Sequence, residues 1–171
     1  AAAGLEITNE FHVGEFTVAK AVDAGGAIDQ NGNPIAYDYA FDFTVSCIYL
    51  GQEVVPVADR TFSLSDGASK TFTAIPTGAA CRVTEADPGL AGSTVTKLTR
   101  NGVVTSTNGV DVDFLVGDET TPVAIEFENA MTVGSLEVAK VVTGAGAADF
   151  GQGPFTMHVL CTLDAADPNT V

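Results

Sequence analysis

Three residues of this chain can do chemistry together if strands bring them side by side: Lys20, Glu85 and Asn129. A lysine amine without its extra proton is a nucleophile. A carboxylic acid can carry protons and polarise a carbonyl, and a carboxamide carbon is an electrophile that releases ammonia. Together they can join the lysine nitrogen to the asparagine side-chain carbon, once, within their own chain. Burial favours this, because loss of water lowers the pKa of Lys and raises that of Glu. Two blander arrangements use the same residues. One is a buried Lys20–Glu85 salt bridge with Asn129 hydrogen-bonded beside it. In the other, Lys20 snorkels out at the end of a sandwich.

The case for inward placement is strand alternation, in which residues i, i+2 and i+4 share a face. Alternation is clear over Glu15–Val22, Phe41–Tyr49, Cys81–Glu85 and Val123–Asn129. Phe16, Val18, Lys20 and Val22 share one face, as do Phe41, Phe43, Val45 and Cys47. Cys81, Val83 and Glu85 form a third set, and Ile125, Phe127 and Asn129 a fourth. Each set is mostly or wholly apolar, so the one polar member of three of them, Lys20, Glu85 and Asn129, is carried inward. Thr, Val and Phe dominate these runs. Turn signals separate them at Asp66-Gly67, Asn101-Gly102, Asn108-Gly109 and Gly117-Asp118. No run shows a helical stripe. Many short strands with close turns predict an all-β sandwich.

The chain also repeats itself. LEITNEFHVGEFTVAK at 5–20 and IEFENAMTVGSLEVAK at 125–140 are identical at 7 of 16 positions, with an offset of 120 residues between Lys20 and Lys140. FDFTVSC at 41–47 aligns with FTMHVLC at 155–161, so Cys161 is the counterpart of Cys47. These matches divide the chain into three. Residues 1–13 are the last strand of one repeat plus a linker, and 14–133 are a complete repeat. Residues 134–171 are the first strands of a next, truncated repeat. Asn9 and Lys140 then occupy, in the flanking copies, the places of Asn129 and Lys20. Repeats in series predict a rod or stalk.

Composition narrows the function. The 171 residues carry 7 Lys+Arg against 22 Asp+Glu, a net charge of −15, which disfavours nucleic acid and anionic lipid as partners. No apolar run is long enough to span a membrane, so no direct membrane insertion is expected. No signal or sorting motif is seen, and any export signal or anchor is expected outside this segment. Asp29, Asn31 and Asn33 have the first spacings of a calcium loop. Pro34 stands where that loop needs Gly, and no Glu follows at its end, so a plain polar loop is expected. His12 and His158 belong to different repeat boundaries and build no triad. Gly144-Ala145-Gly146 completes no dinucleotide fingerprint. No metal, cofactor or conventional enzyme activity is expected.

The segments GEFTVAK, CRVTEAD and IEFENAM resemble the first, middle and last strand signatures of the collagen-adhesin B-type (Cna-B-like) repeats. The chain is also similar to the cysteine-containing repeats of Gram-positive cell-wall-anchored surface proteins. The resemblance covers 14–133 and the partial copies. It implies an Ig-like β-sandwich in a tandem array, outside the cell at the wall or surface. It also implies roles: Lys20 on the first strand bonds Asn129 on the last, with Glu85 shuttling protons. The sequence departs from the usual pattern in its cysteines. No pilin lysine motif is present.

Cys47 and Cys81 fall on inward faces of one repeat, and a disulfide between them is expected, as in an oxidising compartment. It would stabilise by about 2–4 kcal/mol. The alternative is two reduced cysteines packed as small apolar residues. The expected function is a structural stalk or spacer of a cell-surface adhesin or fibre, with neighbouring repeats as partners. The rival is a module that binds a host protein or glycan, with residues 23–39, ending in Tyr37 and Tyr39, as its face.

Overall fold

The computed structural model describes residues 5–37, 40–86, 92–100 and 103–161. Tyr39, the Asn101-Gly102 turn and both chain ends, 1–4 and 162–171, lie outside the described residues. Ten strands are formed: β1 (Val13–Asp23), β2 (Phe41–Tyr49), β3 (Gln52–Glu53), β4 (Thr61–Leu64) and β5 (Ser69–Pro76), then β6 (Ala80–Glu85), β7 (Gly92–Arg100), β8 (Val103–Asn108), β9 (Asp111–Leu115) and β10 (Val123–Met131). They make two five-stranded sheets. One has the order β5-β1-β10-β7-β8. The other has the order β3-β2-β6-β9, with β4 also paired to β2. The fold is therefore an all-β sandwich, and the alternating residues do fill its middle. Phe16, Val18, Ile125 and Phe127 from the first sheet face Phe43, Val45, Val83 and Phe114 from the second, all buried. Phe43 meets Phe127 edge-on across the sandwich, with ring centroids 5.2 Å apart, and Phe16 meets Phe114 in the same way at 5.0 Å. Each such ring contributes about 1.5–3 kcal/mol by leaving water.

Two features of the topology matter for the site. First, β1 and β10, far apart in sequence, are parallel neighbours, with Lys20 opposite Phe127 and Val22 opposite Asn129. Parallel strands run the same way, so the chain enters the sandwich at one end and leaves at the other. Second, β2 and β6 are antiparallel neighbours in the second sheet, with Phe43 opposite Glu85 and Cys47 opposite Cys81. The Asp66-Gly67 turn joins β4 to β5, where Gly67 takes a φ of 73° that suits glycine. At Gly14 the β9–β10 loop comes very close: a Cβ there would lie 1.9 Å from the Gly117 carbonyl oxygen.

Outside the sandwich the picture changes. Residues 5–12 and 134–161 contain no strand, and almost all are exposed. One helical turn, α1 (Ala147–Phe150), interrupts the second segment. The segment from Gly134 repeats the pattern of β1, yet Leu136 and Val138 are 66% and 48% exposed where Phe16 and Val18 are 0%. Alternation marks a strand that has a face to bury. It does not supply the neighbouring strands whose backbone groups the ladder needs.

Candidate cross-linking site

Among the described residues, Lys20, Glu85 and Asn129 are the three charged or polar residues that are buried, exposed by 2%, 0% and 3%. The structure brings them together. Lys20 and Asn129 project from adjacent strands of the first sheet, and Glu85 comes from the facing sheet, as the last residue of β6. One carboxylate oxygen links the other two residues. Glu85 Oε1 lies 3.5 Å from Lys20 Nζ and accepts a hydrogen bond from Asn129 Nδ2 at 3.3 Å.

The lysine is held from every side. Its backbone N–H donates to the Ala68 carbonyl, and its carbonyl accepts from the Gly67 N–H, both at 3.0 Å, so the β4–β5 turn fixes this point of β1. The Nζ donates to the carbonyls of Ala21, at 2.6 Å, and Phe127, at 3.2 Å. It also lies over the Phe41 ring, 4.3 Å from the centroid. Burial holds the Lys20 amine below its ordinary pKa. The Glu85 charge and hydrogen bond oppose that shift, with smaller opposition from Asp66 and Glu128. Desolvation wins because no water reaches the amine. Snorkelling is thereby ruled out.

Cys47 and Cys81 form a disulfide across a directly opposed pair, with Cα atoms 4.0 Å apart. The Cys47 N–H donates to Glu53 Oε1 at 3.0 Å, and its carbonyl accepts from the Val54 N–H at 2.9 Å. Both backbone groups therefore turn away from β6, as they do in a non-hydrogen-bonded pair, where side chains approach most closely. Glu53 also accepts from the Val55 N–H and the Ser46 hydroxyl. Sequence reasoning missed this residue. A carboxylate that serves the backbone around a short hairpin leaves no periodic signal.

The flanking counterparts are elsewhere. Lys140 donates to the Val141 carbonyl at 3.3 Å and lies over the Phe155 ring at 5.0 Å. These two contacts mirror those of Lys20 with Ala21 and Phe41. The carboxyl and carboxamide have no counterpart there among the described residues. Cys161 is a free, exposed thiol, and Asn9 is exposed. Asp29 closes its own loop. It accepts the backbone N–H groups of Asn31 and Asn33, both at 2.8 Å, and these bonds hold its carboxyl below the usual range. Tyr37 is partly buried and packs against the core.

Residues 16–132 match the family described as "Domain of unknown function (DUF5979)". No curated protein matches the chain. Among solved structures, the chain is similar to a mutant of the major pilin from Streptococcus pyogenes, at 19% identity and a TM-score of 0.53, over 70% of this chain and 48% of that one. It is also similar to the major pilin protein (T3.2) from Streptococcus pyogenes serotype GAS13637, at 17% identity and a TM-score of 0.54, over 71% and 46%. A Mobiluncus mulieris adhesin, described as containing intramolecular disulfide, isopeptide and ester bond cross-links, aligns at 25% identity and a TM-score of 0.49, over 70% and 42%. The match thus spans about half of each pilin chain. What the two pilins share with this chain is the fold.

Proposed function

This chain belongs to the DUF5979 family, and from that premise we propose that it is a load-bearing stalk segment of a cell-surface fibre or adhesin, internally tied by a Lys20–Asn129 isopeptide bond. The complete module is residues 14–133, with 1–13 and 134–171 belonging to neighbouring modules of the array. The observation that carries the reading is Glu85 Oε1, buried between the attacking and the leaving nitrogen. A neutral amine has two N–H groups, which the Ala21 and Phe127 carbonyls accept, and keeps a lone pair for attack. The Lys20 Nζ–Asn129 Cγ bond forms and the Cγ–Nδ2 bond breaks. Glu85 passes the proton given up by Nζ to Nδ2, which departs as ammonia. No cofactor enters, and the reaction runs once. This also accounts for a costly arrangement, since a buried ion pair contributes little by itself.

The streptococcal pilins that share the fold make a fibre context and an extracellular location the reading that fits best. Neighbouring modules are the partners. Among the described residues no helix is long and apolar enough to cross a membrane. The test is the intact mass of the reduced chain. We expect a deficit of one ammonia in the wild type and the full mass in Lys20→Ala and Glu85→Gln. Removing the proton shuttle should slow the reaction by about 10²–10⁴-fold. A wild-type chain of full theoretical mass would refute the bond.

A further inference from the structure

The cross-linking group draws its members from both sheets, and they are not held equally. Lys20 and Asn129 are fixed to each other by the β1–β10 ladder. Glu85 is the last residue of β6, a strand of 6 residues, and its N–H donates to the Val110 carbonyl and that of Ala86 to the Asp42 carbonyl, both at 2.7 Å, so its place depends on the register β6 keeps with its neighbours. Side-chain alternation specifies the register of β6 against β2 only in steps of two. A slip of one residue turns Glu85 outward. A slip of two keeps every apolar residue inward but moves the carboxyl by about 7 Å along the strand. Glu85 would then be out of reach of both nitrogens. Before the cross-link forms, the native register also buries a carboxyl beside an amine, which costs free energy. A slipped or frayed β6 end relieves that cost.

One covalent contact separates these registers. The Cys47–Cys81 bridge lies on the same inward faces as Phe43 and Glu85, two inward pairs further along. The bonds of Arg82 with Asp113 also hold β6, but to β9, and on an exposed face where water screens them. Resting on the cross-link proposed above, we infer that Cys47 and Cys81 are positioning residues for that reaction. Their oxidation locks the register that delivers Glu85, so the disulfide forms first and the isopeptide follows. In the oxidation, Sγ joins Sγ. Two protons and two electrons pass to a disulfide-bonded oxidant, which becomes two thiols. The chain therefore keeps its Lys20 amine in a reducing compartment and cross-links in an oxidising one.

The test refolds the full chain from denaturant with reduced or with oxidised glutathione, carrying Cys161→Ser in every arm so that one disulfide alone can form. Samples are quenched in acid, reduced and weighed intact over time. Hydrogen exchange follows the peptides of β1, β6 and β10 in parallel. We expect ammonia loss at least ten times faster in the oxidised chain. Protection of β1 and β10 should be equal in the two states, with faster exchange at the Glu85 end of β6 in the reduced one. Cys47→Val with Cys81→Val fills the rung without tying it. That variant should fold and cross-link at the slow rate in both buffers, which also covers the case in which the reduced chain folds poorly. Fast cross-linking by a folded reduced chain or by the valine pair overturns the inference. A chain that loses no ammonia even when oxidised refutes the cross-link itself, and the inference with it.

Discussion

Pull the chain by its two ends and the cross-link should decide whether anything unfolds. Force enters β1 at Val13 and leaves β10 at Met131, opposite ends of two parallel neighbours. Lys20 and Asn129 sit near the exit end of that pair. With the bond in place, load runs up β1 to Lys20, crosses to Asn129 and leaves. The 2 strand segments on that path are already extended, so no unfolding step should appear below bond rupture. Lys20→Ala removes this short cut. About 118 residues then separate the loaded ends, or about 410 Å at about 3.5 Å each. The disulfide withholds its loop of 34 residues, about 120 Å. Subtracting about 33 Å for the folded span leaves a step of about 260 Å in the oxidised variant. Reduction should lengthen it to about 380 Å. Single-molecule force extension, with handles at both termini, reads all three states. A wild-type step near 260 Å would show that load passes through the core and that no bond joins β1 to β10.

Other perturbations test the site by different routes. Asn129→Ala leaves Lys20 buried with a free amine below its ordinary pKa of 10.5. Between that lowered value and 10.5 the unfolded chain binds more protons than the folded one, so stability of this variant should rise with pH across the window. Urea midpoints for the cross-linked wild type should stay flat there, because an amide nitrogen does not titrate. Lys20→Ala loses closure of a loop of about 110 residues, worth about 4–5 kcal/mol by chain entropy, and its melting point should fall by on the order of 15 °C in calorimetry. Gly14→Ala drives a Cβ against the Gly117 carbonyl and should cost at least about 2 kcal/mol in denaturant unfolding, with the cross-link still formed.

Much of the site was legible because a strand's period is two. Once Phe16 and Val18 face the core, Lys20 must follow, and the same holds for Glu85 after Cys81 and Val83. The cysteines were legible for that reason too. Less was legible about which sheet each strand joins. Alternation gives a face, not a neighbour, so nothing in the residues themselves separates Glu85 from Lys20 and Asn129 by a sheet. The family resemblance linked the first strand to the last without giving their direction, and the parallel pairing of β1 with β10 is a finding of the structure. β7 and β8 pair along six rungs from stretches in which Thr and Ser blur the alternation. Glu53 escaped because its partners are two backbone N–H groups and one hydroxyl on an exposed position, none of which leaves a periodic signal.

The segment from Gly134 shows what a motif does and does not encode. GSLEVAK and GEFTVAK place a lysine identically, and Lys140 finds the same two local contacts as Lys20, the next residue's carbonyl and a phenylalanine ring. The first comes with the local chain, and the second comes from the stretch that follows the strand, which in the sandwich is β2. What Lys20 has in addition needs the closed sandwich: the Phe127 carbonyl, the Glu85 carboxyl and the exclusion of water. Exclusion of water moves the amine from a solvated cation toward a nucleophile against the pull of the Glu85 charge, while the Phe127 carbonyl and the Glu85 carboxyl fix where it sits. The proposed reactivity is therefore a property of the closed sandwich rather than of the lysine's own strand. An array built from such modules would cross-link each lysine only after its own last strand had arrived, so the bond records completed folding, module by module.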